Sequence, residues 1–231
     1  MSAKREQAIS ERKRRIFDAA RALISQKGLE GLTTRSLAQA AGLTVPTLYN
    51  LVGGKDAILT HMVSQNVETI WERLAFDRRA TPLDMADAII DEAYVVVRRE
   101  KAFHRAILPL MIELEVVLAA NPERDDPGAR AANRCVEMAQ FACQTAMDSG
   151  ELRGSIPAAE LGQQMFITYR GPMRDWLEGV ITADEMMRRQ RRGFYLVLAA
   201  DASDGFRSIL IERVARLAEQ QTPPPVMEDA T

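Results

Sequence analysis

The spacing of apolar residues predicts helices along almost the whole chain. No stretch alternates apolar and polar residues with the period of a strand, and no β-branched runs are joined by an Asn-Gly or Asp-Gly turn. Between residues 10 and 27 the apolar positions recur at helical spacing, and Gly28 predicts the end of that first helix. Two short helices follow, from Arg35 to Ala41 and from about Val45 to Leu51, with Gly42 between them.

Caps and loops further along predict five or six longer helices after a long one that begins near residue 55. Thr81 is a cap followed by proline at the first helical position, and Thr182 stands three residues before Glu185 with the spacing of a capping box. Polar loops are expected at 121–128 and 150–157.

Together these elements predict an all-α fold with two domains. We expect residues 1–54 to form a three-helix domain containing a helix-turn-helix, and residues 55–221 to form a larger helical domain. Residues 222–231 are expected to be a disordered tail. Gly171-Pro172 lies inside an otherwise helical run, where proline should kink or split the helix.

Charge is distributed unevenly along the chain. The formal net charge is −2, but residues 1–60 hold ten lysines and arginines and five acids, a net of +5, so the other 171 residues carry −7. A basic first quarter on an acidic remainder is what a protein needs when only that quarter meets a polyanion. The alternative interpretation of this charge is a solvated helix face rich in lysine and arginine.

Several classes of protein are disfavoured by what the sequence lacks. No apolar run is long enough to cross a bilayer, and the charged N-terminus has no secretory signal pattern. Cys135 and Cys143 are separated by eight residues of expected helix, about 12 Å, which is too far for a disulfide. We therefore expect a reduced, cytoplasmic protein.

An enzyme is the main alternative class, and the sequence contains few features that support it. His61 and His104 have no metal-ligand spacing, and there is neither a glycine-rich phosphate loop nor a Gly-x-Ser-x-Gly motif. Glu113 and Glu115, two residues apart on a helix, face different sides. We expect no catalytic residue, no metal and no cofactor.

The string from Gly28 to Leu59 carries more information than the helical pattern. It closely resembles the DNA-binding domain of the TetR family, and the similarity covers residues 10–60 almost without a gap. The most telling segments are Gly31-Leu-Thr-Thr, Ala38 with Gly42, Thr47-Leu-Tyr49, and Lys55 followed by Leu59. The resemblance implies a homodimeric transcriptional regulator that binds a near-palindromic, double-stranded DNA operator. It also implies, as the family's usual mode, a repressor released by a small molecule.

The residues of this string have physical roles that suit DNA. Thr34 at a helix start, the phenol of Tyr49 and the ammonium of Lys55 can hold phosphates, and the resemblance assigns the same role to them and to Thr47. A guanidinium on the second helix can read guanine, and apolar and amide groups on the third can meet thymine methyls and adenine. The expected DNA-binding residues are Thr34, Arg35, Thr44, Val45, Pro46, Thr47, Tyr49, Asn50 and Lys55. Leu51 and Val52 stand at positions where the family often has an aromatic residue or histidine. The operator sequence of a relative therefore cannot be assumed for this chain.

The larger domain is expected to bind a largely apolar effector and a second subunit. Eleven methionines in the chain suit an adaptable apolar pocket. The candidate pocket residues are Met62, Gln65, Tyr94, Phe103, His104, Met111, Met138, Phe141, Phe166, Tyr169 and Arg170. The resemblance implies that two late helices pair with their twins, and the candidate interface residues are Met187, Gln190, Phe194 and Val197. For each of these residues, ordinary intramolecular core is the alternative.

Other functions remain open at this level. The chain could be a regulator that is independent of a ligand or activates transcription, or a helical binding protein that has lost DNA binding. Lys13-Arg14-Arg15 are interpreted as a solvated face, with a phosphate-contacting arm as the alternative.

Overall fold

A computed structural model describes residues 3–73, 81–120 and 127–219, which form ten α-helices. The helices are α1 (Ala3–Gly31), α2 (Thr34–Ala40), α3 (Val45–Val52), α4 (Lys55–Arg73), α5 (Pro82–Arg99), α6 (Lys101–Ala120), α7 (Pro127–Asp148), α8 (Ala158–Leu177), α9 (Ala183–Ala199) and α10 (Asp204–Glu219). No strand occurs among these residues, and Leu152 pairs with Ala202 only in an isolated bridge. The all-α fold predicted from the spacing of apolar residues is confirmed.

Threonine hydroxyls fix where several helices begin. Thr33 caps α2 and forms a capping box with Ser36, because each residue's side chain accepts from the other's backbone N–H at 3.0 Å. Thr182 caps α9 by accepting from the amide of Glu185 at 3.2 Å, as its spacing predicted. The expected cap of α5 is also present, since Thr81 accepts from the backbone of Asp84 at 3.1 Å.

Helix α1 is longer than the pattern of apolar residues predicted. It begins at Ala3, seven residues before the expected start. At Gly28 the backbone takes φ 66° and ψ −173°, so the main helical segment ends there as predicted, before a short helical continuation to Gly31. Gly42, with φ 66°, forms the turn between α2 and α3.

Proline inside α8 does not interrupt the helix. We expected Gly171-Pro172 to kink or split this run, but α8 is one helix from Ala158 to Leu177, so a split is wrong. The amide of Gln190 on α9 donates to the carbonyl of Tyr169 at 3.1 Å. This contact supports the backbone close to the turn that proline weakens.

The chain divides into two compact units, each with its own core. The first comprises residues 1–66 and 99–131, and the second comprises 67–98 and 132–231, as far as these are described. In the first unit α1 packs against α2, α3 and α6. Its core contains Ile16, Ala20, Ile24, Leu32, Leu37, Leu48, Ile58, Met62, Phe103 and Ile107.

The second unit is built on helices α8, α9 and α10, with α5 and the end of α7. Asp87 on α5 accepts a hydrogen bond from Tyr195 at 2.5 Å and pairs with Arg213 at 3.0 Å, so it joins three helices. Burial, followed by the bond to Asp87, raises the pKa of Tyr195 to about 12, which keeps its phenol protonated as the donor. The core includes Ile90, Met138, Cys143, Met165, Leu198 and Phe206.

The two compact units do not coincide with the two domains that were predicted to meet between residues 54 and 55. The start of α4 packs with the three N-terminal helices, as does α6 through Phe103 and Ile107, and the division at residues 66–67 falls inside α4. That boundary, as a limit of independent folding, stays a prediction. The predicted tail and most of the loop at 121–128 lie outside the described residues.

Candidate nucleic-acid interface and apolar cavity

Helix α3 has one buried and one exposed side. Leu48 has no exposed surface and anchors the helix in the first unit's core. Val45 and Tyr49 keep 41% and 61% of their surface exposed, which is unusual for such large apolar groups, and Pro46 and Asn50 are exposed with them. The side chains expected to meet bases therefore remain available on this surface.

The start of α2 presents a hydroxyl and a guanidinium. Thr34 is the first residue of the helix and is half-buried, while Arg35 is exposed. Thr33 is the cap, and its partner Ser36 stands where a capping box usually has glutamate or glutamine. A capped helix start directs its amides outwards, where an anion can meet them.

Two threonines organise the start of α3. Thr44 caps the helix and is exposed, and its hydroxyl lies 2.8 Å from the hydroxyl of half-buried Thr47. The Thr47 amide also approaches the Thr44 hydroxyl, at 3.4 Å. Since a hydroxyl both donates and accepts, this pair keeps capacity for a phosphate oxygen.

Lys55 makes a contact that the sequence did not indicate. Its Nζ donates to the carbonyl of Leu29 at 2.7 Å, just beyond the kink at Gly28. This bond ties the start of α4 to the end of α1 and uses one of the three ammonium protons, leaving two for another acceptor.

The phenol of Tyr49 lies against a glycine at the start of α4. A Cβ placed on Gly54 would stand 3.3 Å from the Tyr49 hydroxyl oxygen and 3.7 Å from its ring. Gly54 thus leaves the room that this orientation of the ring requires. No pattern in the sequence indicated this role of Gly54.

The surface formed by α2, α3 and Lys55 carries no negative side chain, although Asp56 follows directly in the first turn of α4. Between Glu30 and Asp56 the chain has no aspartate or glutamate, while Arg35 and Lys55 are positive. A positive surface with hydroxyl and amide donors suits a phosphate backbone. The fold and this surface define a helix-turn-helix protein.

An apolar cavity of about 50 Å³ lies in the second unit. Its lining residues are Ile89, Ala93, Cys135, Met138, Ala139, Phe166, Tyr169 and Phe194. They come from α5, α7, α8 and α9. Such a wall favours an apolar group, with the Tyr169 phenol and the Cys135 thiol as its polar side-chain groups.

Of the ten candidate pocket residues whose side chains the structure describes, three line this cavity: Met138, Phe166 and Tyr169. The structure corrects the list for Met62 and Phe103, which fill the core of the first unit with 1% and 0% exposure. Phe141 is also corrected, since it lies on α7 with 42% of its surface exposed. Apolar character alone could not tell core, cavity and surface apart.

The polar candidates have other surroundings. His104 is buried in the first unit and its Nδ1 lies 3.0 Å from the Glu100 carbonyl, while burial lowers its pKa. The phenol of Tyr94 donates to Asp184 on α9. Gln65 is exposed, and the Arg170 guanidinium stands 5.5 Å from the ring centre of Phe166. The side chain of Met111 lies outside what the structure describes.

The candidate dimer interface also needs correction. Gln190 and Phe194 are each 2% exposed in the single chain, so neither has surface to offer a partner. Met187 and Val197 are partly buried against the same core. Gln190 and Phe194 thus face the chain's own core, as the alternative interpretation held, while an interface role for Met187 and Val197 stays a prediction.

The two cysteines remain free, as their spacing predicted. Cys143 is buried, and burial raises the pKa of its thiol to about 12. Its sulfur lies 3.5 Å from the sulfur of Met165. This thiol is a core group rather than a reactive one.

Comparison with known proteins finds a family match in the first part of the chain. Residues 16–62 match the sequence model of bacterial regulatory proteins of the tetR family. The chain is 33% identical over 110 residues to the class D tetracycline repressor protein of Escherichia coli. That alignment covers 47% of this chain and 45% of the repressor, so the match spans about half the length of this relative.

Solved structures share the fold over most of the chain. The structure of SmeT, the repressor of the Stenotrophomonas maltophilia multidrug efflux pump SmeDEF, aligns with a TM-score of 0.64 at 20% identity. That alignment covers 84% of this chain and 92% of SmeT. A γ-butyrolactone receptor aligns with a TM-score of 0.57 at 19% identity, covering 93% of this chain and all of the receptor.

Residues 16–62 therefore match the tetR family of bacterial regulatory proteins, and the described chain shares the fold of these solved structures. The resemblance based on the Gly28–Leu59 string is confirmed. Within the described residues, no helix is both long and apolar enough to span a membrane.

Proposed function

We propose that the chain is a DNA-binding transcriptional regulator that acts in the cytoplasm as a homodimer on a near-palindromic operator. The observation that supports it is the surface of α2 and α3, which has no acid between Glu30 and Asp56 and keeps Val45, Tyr49 and Asn50 exposed. Phosphate donors at the edges would fix the register, and α3 would read bases in the major groove.

Substitutions at Lys55 test the phosphate contact. Lys55→Ala removes both the charge and the bond to Leu29, whereas Lys55→Gln removes the charge but keeps an amide donor for that carbonyl. Both variants should reduce the salt dependence of DNA binding by about one per subunit, measured in gel shifts with DNA flanking the chain's own gene. Unchanged salt dependence in both would remove Lys55 from the phosphate contacts.

Arg35 tests base reading on the same DNA. Its guanidinium is exposed on α2, so Arg35→Ala should relax specificity at one base pair by roughly 1–3 kcal/mol without changing the fold. Competition between single-base variants of the bound DNA measures this. Equal loss on every sequence would instead make Arg35 a phosphate contact.

Dimer formation is proposed on the exposed side of α8 and α9. Ile167 and Leu196 are 42% and 50% exposed in the single chain. Two-fold symmetry lengthens the DNA site that one recognition helix can read. Leu196→Asp should give folded monomers in light scattering, while Arg207→Asp on α10 should leave the dimer intact. A dimer that survives Leu196→Asp would move the interface elsewhere.

Effector binding is proposed at the apolar cavity, with release from DNA as its consequence. A cavity of about 50 Å³ admits only a small group, so a larger effector would have to displace Phe166, Met138 or Phe194. Helix α4 begins at Lys55 and continues past residue 66 into the second unit, so it could carry a shift to the interface. Half-sites lie about 34–36 Å apart, and a change of a few ångströms would prevent simultaneous docking.

Linkage makes this mechanism measurable. A 100-fold loss of DNA affinity requires about 2.7 kcal/mol of coupling, and DNA must weaken the effector equally. Calorimetric titration of a bound molecule with and without DNA tests this. Equal affinities in the two titrations would mean that the regulator does not respond to that molecule. A reporter gene then distinguishes repression from activation.

A further inference from the structure

The first part of α1 is largely exposed. Residues 5–15, which we call the basic arm, are all exposed except half-buried Ile9. The first buried residue of α1 is Ile16, which has no exposed surface and belongs to the same core as Leu48 of α3. Among the described residues, the basic arm therefore contributes no side chain to the buried core.

Charge on the basic arm is strongly positive. It contains four arginines and one lysine against Glu6 and Glu11, a net of +3 over eleven residues. The second acid already has a partner, since Glu11 lies 3.8 Å from Arg14.

Three of the arginines share a face and are not engaged. Arg5, Arg12 and Arg15 recur at i, i+7 and i+10, so their side chains leave the helix within one sector. Among the described residues, none of the three is in an ion pair or hydrogen bond. Between them on this face stands Ala8, which is short enough to let a surface come close.

We infer that the basic arm is a second DNA-binding surface, which holds the phosphate backbone beside the stretch read by α3. This inference rests on the proposed function, because it extends the same protein–DNA contact. At about 1.5 Å per residue the arm is about 16 Å long, which spans roughly five base pairs of duplex.

The composition of the arm favours DNA over a membrane. An interfacial helix buries a broad apolar face, and the arm has only Ala8 and Ile9 to offer. A rigid row of guanidinium groups instead matches a row of phosphates, which each can hold through two parallel hydrogen bonds.

The test removes the charges of the three arginines on the arm and compares this variant with one that loses three arginine charges elsewhere. One variant carries Arg5→Gln, Arg12→Gln and Arg15→Gln, and its control carries Arg98→Gln, Arg207→Gln and Arg216→Gln on exposed positions of the second unit. Glutamine is a good helix former, and circular dichroism checks that both retain helix. The probe is a 40-base-pair DNA duplex of mixed sequence. It is titrated with each full-length protein at several salt concentrations.

The arm variant should lower the slope of log affinity against log salt by about 2.7 per subunit, because each phosphate contact contributes about 0.9. At 0.15 M salt this corresponds to a loss of about 100-fold, and the control variant should retain the wild-type slope. Hydroxyl-radical footprints on DNA flanking the chain's own gene should also shorten, by up to about five base pairs per half-site. Protection opposite α3 should remain.

The contrary outcomes separate the two proposals. If wild type and arm variant bind DNA with the same slope and footprint, the arm inference is wrong while the proposed function stands. If the wild type binds no duplex even at low salt, both are wrong. If the arm variant loses only binding to vesicles rich in phosphatidylserine, the arm is a membrane contact and the inference fails.

Discussion

Two phenylalanines that sequence patterns could not tell apart should differ sharply when each is changed to alanine. Phe194 was expected in a dimer interface and Phe141 in a pocket, but the structure buries Phe194 to 2% exposure and leaves Phe141 42% exposed. The substitution removes the same atoms in both cases, so the comparison isolates burial.

The expected magnitudes follow from the surroundings. Phe194→Ala empties a buried position beside a cavity of about 50 Å³, and such changes cost about 3–5 kcal/mol of unfolding free energy. Phe141 is only just over half buried, so Phe141→Ala should lose about 1–1.5 kcal/mol of transfer free energy and leave no cavity. For a chain of this size these values correspond to reductions in Tm of roughly 6–20 °C and at most about 6 °C.

Urea unfolding followed by circular dichroism measures both variants, at one protein concentration because a dimer's stability depends on it. Should Phe194→Ala fail to fold, Phe194→Leu removes less volume and should cost about 1 kcal/mol. The packing assignment is refuted if Phe141→Ala costs as much as Phe194→Ala. A folded Phe194→Ala monomer of unchanged stability would instead restore Phe194 to the interface.

Three further predictions follow from single contacts. Gly54→Ala would bring a Cβ within 3.3 Å of the Tyr49 hydroxyl, so DNA affinity should fall in a gel shift while the Tm changes little. Gly162→Ala would set a Cβ 2.7 Å from the backbone nitrogen of Gln140 and should cost about 1–3 kcal/mol of stability in urea, whereas Gly205→Ala in α10 meets nothing within 4 Å and should not lower stability. Burial lowers the pKa of His104, so stability should be complete above the unfolded pKa of about 6.5 and fall as the pH drops below it. Urea midpoints at successive pH values should show a shallower fall in His104→Gln; an equally steep fall would contradict this.

Local signals in the sequence predicted local structure well. Thr81 and Thr182 cap the helices they were expected to cap, and Gly28 takes the positive φ that ends the main segment of α1. These features depend on neighbours within four residues, so a short string of sequence contains what determines them.

Features that depend on distant packing were not predictable in the same way. A helical apolar stripe identifies which face is buried but not against what, so Phe194 was assigned to a partner rather than to its own core. The bond from Lys55 to Leu29 joins residues 26 apart, and the room for Tyr49 at Gly54 depends on how α3 meets α4. Neither leaves a periodic signal in the sequence.

The central claim is that the surface of α2 and α3 reads a DNA sequence. Selection from fragmented genomic DNA of the source organism, at physiological salt and followed by sequencing, tests it without assuming which gene is regulated. The account predicts enrichment of a few near-palindromic sites, bound about 10³-fold or more tighter than other fragments. Recovery of fragments in the same proportions as the input would contradict it.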